Sequence, residues 1–164
     1  MPLYMAANGA MATTAELSPV TTGTAIKTLL QIATPSTRGI RVVEWGISFD
    51  GAAAATPIRC ELIDTNVAAT VTAHVAAGVQ PYSDPGATAS LMTLGTSATG
   101  YTATAEGSIT ATRTGDVQLI APTTQYIKQW PLGREFAVAA SRFLRVRVKA
   151  GAAVNAYCYV IWEE

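Results

Sequence analysis

Hydrophobic and polar positions alternate most cleanly near the end of the chain, in the stretch FLRVRVKAGAAVNAYCYVIWE from Phe143 to Glu163. Leu144, Val146 and Val148 alternate with Arg145, Arg147 and Lys149, which predicts a strand with one apolar face and one cationic face. After a small-residue connection, Tyr157, Tyr159 and Ile161 alternate with Cys158, Val160 and Trp162. That second strand is apolar on both faces and is expected between layers or between subunits. Two such strands, joined by a short loop containing Gly and Asn, predict an antiparallel hairpin that closes the fold.

The same period of two recurs upstream. Ala25 to Ile32 reads as a strand or a short helical turn, ended by Pro35. In GIRVVEWGISFD (Gly39 to Asp50), Val43, Trp45, Ile47 and Phe49 share one face while Ile40 and Val42 have the opposite parity. The face therefore switches between Val42 and Val43, as a β-bulge or a strand changing sheets requires. Ile58, Cys60 and Leu62 point inward from the next strand, with Arg59 and Glu61 outward. Val67 to Val75 gives a weaker strand, and from Gly78 to Gly115 the pattern dissolves into a Thr-, Ala-, Ser- and Gly-rich run, a functional or partner-bound excursion by its length. Tyr101 to Arg113 keeps enough alternation for strands. Asp116 to Pro122 and Tyr126 to Trp130 supply two further short strands, the second ended by Pro131, and Glu135 to Ala140 leads into the C-terminal hairpin.

Roughly seven to nine strands, with turn signals between them and no helical period, predict an all-β fold. Long connections favour a jelly-roll-like antiparallel β-sandwich over a meander. A single domain is expected over residues 23–164, preceded by an extended N-terminal arm over residues 1–22. Leu3, Tyr4, Met5 and Met11 make that arm more apolar than a solvated tail, so it either frays or orders against a neighbouring subunit or a larger surface.

Composition narrows the function classes. The chain has 164 residues, 13% of them charged, and a formal net charge of zero. Without a basic excess it lacks the counterion-releasing surface that nucleic-acid binding needs, and low charge does little to oppose self-association. Cys60 and Cys158 show no metal-ligand spacing and sit among apolar strand residues, which points to buried free thiols more than to a disulfide. No signal segment and no apolar run of about twenty residues appears, so a soluble protein made in the cytoplasm, with no membrane partner, is expected.

Catalytic chemistry finds little to build on. His74 is the single histidine, it has no nucleophile elbow to serve, and a half-exposed structural role is expected of it. Glu44, Glu61 and Asp64 form an acid/base pair only if two of them share one cleft. Gly95 to Gly100 lacks the lysine of a phosphate loop. No cofactor or metal site is predicted. The cationic row of Arg142, Arg145, Arg147 and Lys149 reads as a solvated strand face, as a patch that meets an acidic shell or subunit, or as one paired internally with Glu135, Glu163 and Glu164. Tyr82 and Tyr101 fall in expected loops, where their rings are available to stack on sugars in a carbohydrate- or receptor-binding module, whereas Trp45, Trp130 and Trp162 belong to the core.

The GIRVVEWGISFDG stretch, the FLRVRVKAGAAVNAYCYVIWEE ending, the Thr/Ala-rich middle and the apolar arm together resemble small structural proteins of tailed phages of high-GC bacteria, more narrowly their capsid decoration, or cement, proteins. The resemblance runs from about Thr24 to the end and is one of strand pattern. It implies a virion protein with no catalytic residues: a homotrimer bound to the major capsid protein on the outside of a head, strengthening contacts between capsomers. It assigns no docking residue.

Overall fold

A computed structural model describes residues 1–11 and 14–164. Thirteen strands among the described residues form two antiparallel sheets packed as a sandwich. Sheet 1 is ordered β10 (Gln125–Gln129), β4 (Ile40–Phe49), β13 (Asn155–Glu163), β1 (Leu3–Ala7) and β7 (Gln80–Pro81). Two short strands complete it: β11 (Phe136–Val138) follows β10 along β4, and β2 (Val20–Thr21) follows β1 along β13. Sheet 2 is ordered β6 (Thr70–Ala73), β8 (Gly100–Ala105), β3 (Lys27–Ala33), β12 (Phe143–Lys149), β5 (Ile58–Thr65) and β9 (Thr112–Ile120).

The core lies where the two inner faces meet. Trp45, Ile47, Val160 and Trp162 come from sheet 1, and Leu30, Ile32, Leu62, Leu144 and Val146 from sheet 2, all at most 2% exposed. Each buried aliphatic side chain contributes roughly 1.5–3 kcal/mol, so this interface is the main source of stability. The expected parity switch in β4 is a bulge: Ile161 pairs with Glu44 and Trp162 with Val42, leaving Val43 as the extra residue. By absorbing one residue, the bulge lets Ile40 and Val42 on one side of it, and Trp45 and Ile47 on the other, face the same core.

Two expectations are corrected. Strands β12 and β13 do not pair as a hairpin: β12 lies between β3 and β5, and β13 between β4 and β1. Both carry an apolar face, and those faces bury each other only if the connection at residues 150–154 arches from sheet to sheet. The second correction concerns the start of residues 1–22, expected as an arm outside the core. Leu3–Ala7 is an internal strand, paired with β13 on one side and β7 on the other, and Tyr4 is 2% exposed. Residues 12 and 13 of the expected arm lie outside the described residues. Tyr4 stacks on Trp162 with ring centroids 6.4 Å apart, a gain in buried area that no solvated tail could match.

Candidate functional site

On the outer face of sheet 2, the core claim of Leu144, Val146 and Val148 forces Arg145, Arg147 and Lys149 outward, opposite Ile63, Glu61 and Arg59 of β5. Arg147 donates to Glu61 across the strands. Arg142 donates to one Asp64 oxygen at 2.7 Å, and Arg113 reaches the other at 3.3 Å. Arg145 is 0% exposed although it points away from the core. Its guanidinium donates to the Glu106 carbonyl at 3.0 Å, to the Glu106 carboxylate at 3.3 Å and to the Val67 carbonyl. Burial lowers its pKa, the Glu106 charge opposes that effect, and Arg147 adds to it. Glu106 also accepts from the backbone N–H and the hydroxyl of Thr28.

What covers Arg145 is the excursion between β5 and β9, folded down on sheet 2. Gln31, also fully buried, donates to the Ala98 carbonyl at 2.6 Å and accepts from the Ala69 N–H at 2.8 Å. Ala69, Val71 and Ala103 form the excursion's own small apolar cluster. Polar clamps thus hold down a segment too poor in apolar mass to bury itself. The cationic row is therefore not a free docking patch. Of its four members only Lys149 is exposed, and the pairing acids are Asp64, Glu106 and Glu61 instead of Glu135, Glu163 and Glu164.

Of the remaining candidate residues, Leu3, Tyr4 and Met5 lie on β1, Tyr82 follows β7, and Met11 reaches back to β1. Tyr82, 57% exposed, donates its N–H to the Leu3 carbonyl at 2.7 Å, beside half-buried Met5. Tyr4 donates its hydroxyl to the Thr88 carbonyl, and the Met11 sulfur accepts from the Ala7 N–H. Tyr101 lies in β8, not in a loop, with its ring 4.8 Å from that of His74. That contact occupies an aromatic face expected to be free for a sugar. His74 is buried, not half-exposed: it is 3% accessible, and its Nε2 lies 2.9 Å from the Ala7 carbonyl, so Nε2–H is the donor. Burial lowers its pKa, partly opposed by that hydrogen bond. No protein family, curated protein or solved structure matches the chain.

That geometry separates the acids. Glu44 faces outward from sheet 1, where it accepts from Tyr159 and Gln129, while Glu61 and Asp64 belong to sheet 2 and are held by arginines. They share no cleft, and a paired-carboxylate mechanism has no place to form. Among the described residues no group of three His, Cys, Asp or Glu is arranged to hold a metal ion. Cys60 and Cys158 are free and buried, with burial pushing the Cys60 thiol up to about 12.

Asp116 was not legible as a special residue. It is 7% exposed at the open side of the sandwich, and it accepts from Trp45 Nε1 at 3.1 Å, the Tyr126 hydroxyl at 2.9 Å and Gln118 at 3.0 Å, with Lys128 at 3.4 Å. Burial alone would raise its pKa, but the hydrogen bonds from Gln118 and Tyr126, the Lys128 charge and the Trp45 bond outweigh it and hold the carboxyl below its ordinary range. The available signal was a carboxylate sharing the inward parity of Ile120 in a strand. Glu164 is similar: its carboxylate accepts from Trp162 Nε1, Ser90 and the Leu91 N–H, tying the loop after Tyr82 to the end of β13. A cleft of about 410 Å³ opens beside it between Arg38, Arg41 and Glu163.

Proposed function

We propose that this chain is a structural virion protein that decorates the outside of a tailed-phage head and strengthens contacts between capsomers. The path of the chain supports this reading. With β1, β3, β4, β5, β9, β10, β12 and β13 numbered 1 to 8, the sheets run 6-3-8-1 and 2-7-4-5. We read that order as jelly-roll-like, and jelly rolls recur in viral capsid proteins as well as in lectins and cupins. Fold alone carries no function; the reading joins it to the resemblance in strand pattern.

The partners in this reading are further copies of the chain and the major capsid protein, with no part for nucleic acid or membrane, and the chain is made in the host cytoplasm. Since Arg142, Arg145 and Arg147 of the cationic row are held in internal ion pairs, docking falls to weakly charged loops. The segment after β7 presents Tyr82, Leu91 and Leu94 at 57%, 54% and 40% exposure, and Glu164 anchors it. The test is to purify virions from the source culture and probe them with antibody to the chain. Labelling over the head exterior is expected, and stripped heads should rupture at a lower temperature until the purified protein is added back. Labelling confined to the tail, or absence of the chain from particles, refutes the proposal.

A further inference from the structure

A sheet edge is a row of unpaired backbone donors and acceptors, and folded proteins normally blunt it. Three of the four edges here are blunted. Strand β7 is two residues long and ends in Pro81. Strand β6 is covered where Val71 N–H donates to the Thr96 carbonyl at 2.8 Å. The β10 edge is interrupted by Pro131 and the turn that separates it from β11. The fourth edge, β9, is nine residues long and contains no proline. It bulges at Gly115, where Leu62 pairs with Asp116 and Ile63 with Thr114, and then runs straight from Asp116 to Ile120. Among the described residues the free side of this run has no backbone partner. Its outward side chains, Val117 and Leu119, are 48% and 74% exposed.

We propose that the Asp116–Ile120 edge pairs antiparallel with the same edge of a second copy, about a two-fold axis through Gln118. Backbone groups along an exposed edge bond to water until another strand replaces it, and the side chains select which strand that is. Three registers keep the outward faces together and oppose an apolar residue to an apolar one: those centred on Val117, Gln118 and Leu119. On β5, Leu119 has Arg59 as its neighbour and Val117 has Glu61. Centring on Leu119 gives a rung of Arg59, Leu119, Leu119 and Arg59, and centring on Val117 places Glu61 at both ends. Only the Gln118 register sets Val117 against Leu119 twice and brackets each pair with Arg59 on one side and Glu61 on the other. Isologous contacts of this kind close as dimers and merge the two copies of sheet 2 into one continuous sheet.

This inference does not depend on the virion reading, and it replaces the three-fold association implied by the resemblance with a two-fold one. Light scattering coupled to size exclusion tests it directly. The expected mass is about 34 kDa, twice the 17.1 kDa chain, falling to the monomer in Leu119→Lys and unchanged in Leu132→Lys, a 98% exposed site on another edge. Oxidising a mixture of Val117→Cys and Leu119→Cys proteins should give the mixed disulfide in excess of either homodimer, since directly opposed residues come within disulfide reach and the native cysteines are buried. A monomer at every concentration, a trimer, or a dimer indifferent to Leu119→Lys overturns the proposal. Preferential cross-linking of Val117→Cys to itself overturns the register. None of these results bears on whether the chain labels virions, so the two proposals fail separately.

Discussion

Replacing Arg145 with methionine tests how the middle excursion is held. The guanidinium is fully buried and supplies donors to the Val67 carbonyl and to both the carbonyl and the carboxylate of Glu106. Methionine fills much of the side-chain volume, so the loss is mainly electrostatic: two carbonyls lose their donor, and a carboxylate with 24% side-chain exposure loses its cation. Removing one partner of a buried ion pair costs about 3–5 kcal/mol. In a chain of this length each kcal/mol moves Tm by roughly 2–4 °C, so the variant should melt about 6–20 °C lower. Arg147→Met is the control: its pair with Glu61 is 19% and 21% exposed and its guanidinium is within reach of water, so its loss should cost less, about 1.5–3 kcal/mol. Calorimetry reads the Tm difference, and hydrogen exchange reads its location. Protection of the Val67–Ala69 amides should fall in Arg145→Met while that of β4 and β13 stays ahead of it. If both variants melt alike, or if the excursion keeps its protection, Arg145 is not a clamp and the reasoning fails.

Other consequences follow from the same buried contacts. Asp116→Asn should cost about 1.5–3 kcal/mol at neutral pH, the scale of hydrogen bonds to a charged acceptor. Because the folded pKa of Asp116 is depressed, its contribution is complete above the ordinary carboxyl range and fades as pH falls below about 4. Urea midpoints of wild type and variant should therefore converge in acid, and a constant gap would refute the assignment. His74 is also depressed, so the wild type should lose stability as pH drops below about 6.5, and His74→Gln should remove that slope between about pH 7 and pH 5. Gly46→Ala would place a Cβ 2.5 Å from a ring carbon of Tyr159, at a cost of about 1–3 kcal/mol by denaturant melt, much of it relieved by adding Tyr159→Ser. Deleting residues 1–8 should abolish cooperative folding, since it removes a strand paired on both sides; a stably folded truncation would show that β1 is dispensable.

By itself the sequence determined the class of fold and most of the inward-facing residues, because side-chain alternation is local and a one-residue shift would turn a whole apolar set to solvent. The bulge at Val43 was legible for the same reason: the change of parity between Val42 and Val43 is written in consecutive residues. Which strands pair is a different matter, since two strands with apolar faces can lie side by side or face each other across a core. For β12 and β13 only the packed whole, with β3, β5, β1 and β4 already flanking them, decides in favour of facing. The charged residues were the least legible. Period assigns Arg145 correctly to the outward face but leaves open whether water, a partner or an internal acid meets it there; the excursion closes over that face and brings Glu106 to it from 39 residues away. Tyr4 and His74 carry the same lesson, each buried by a partner remote in the chain, Trp162 for one and Ala7 for the other. Periodicity states which way a side chain points; only the tertiary structure states what is there to meet it.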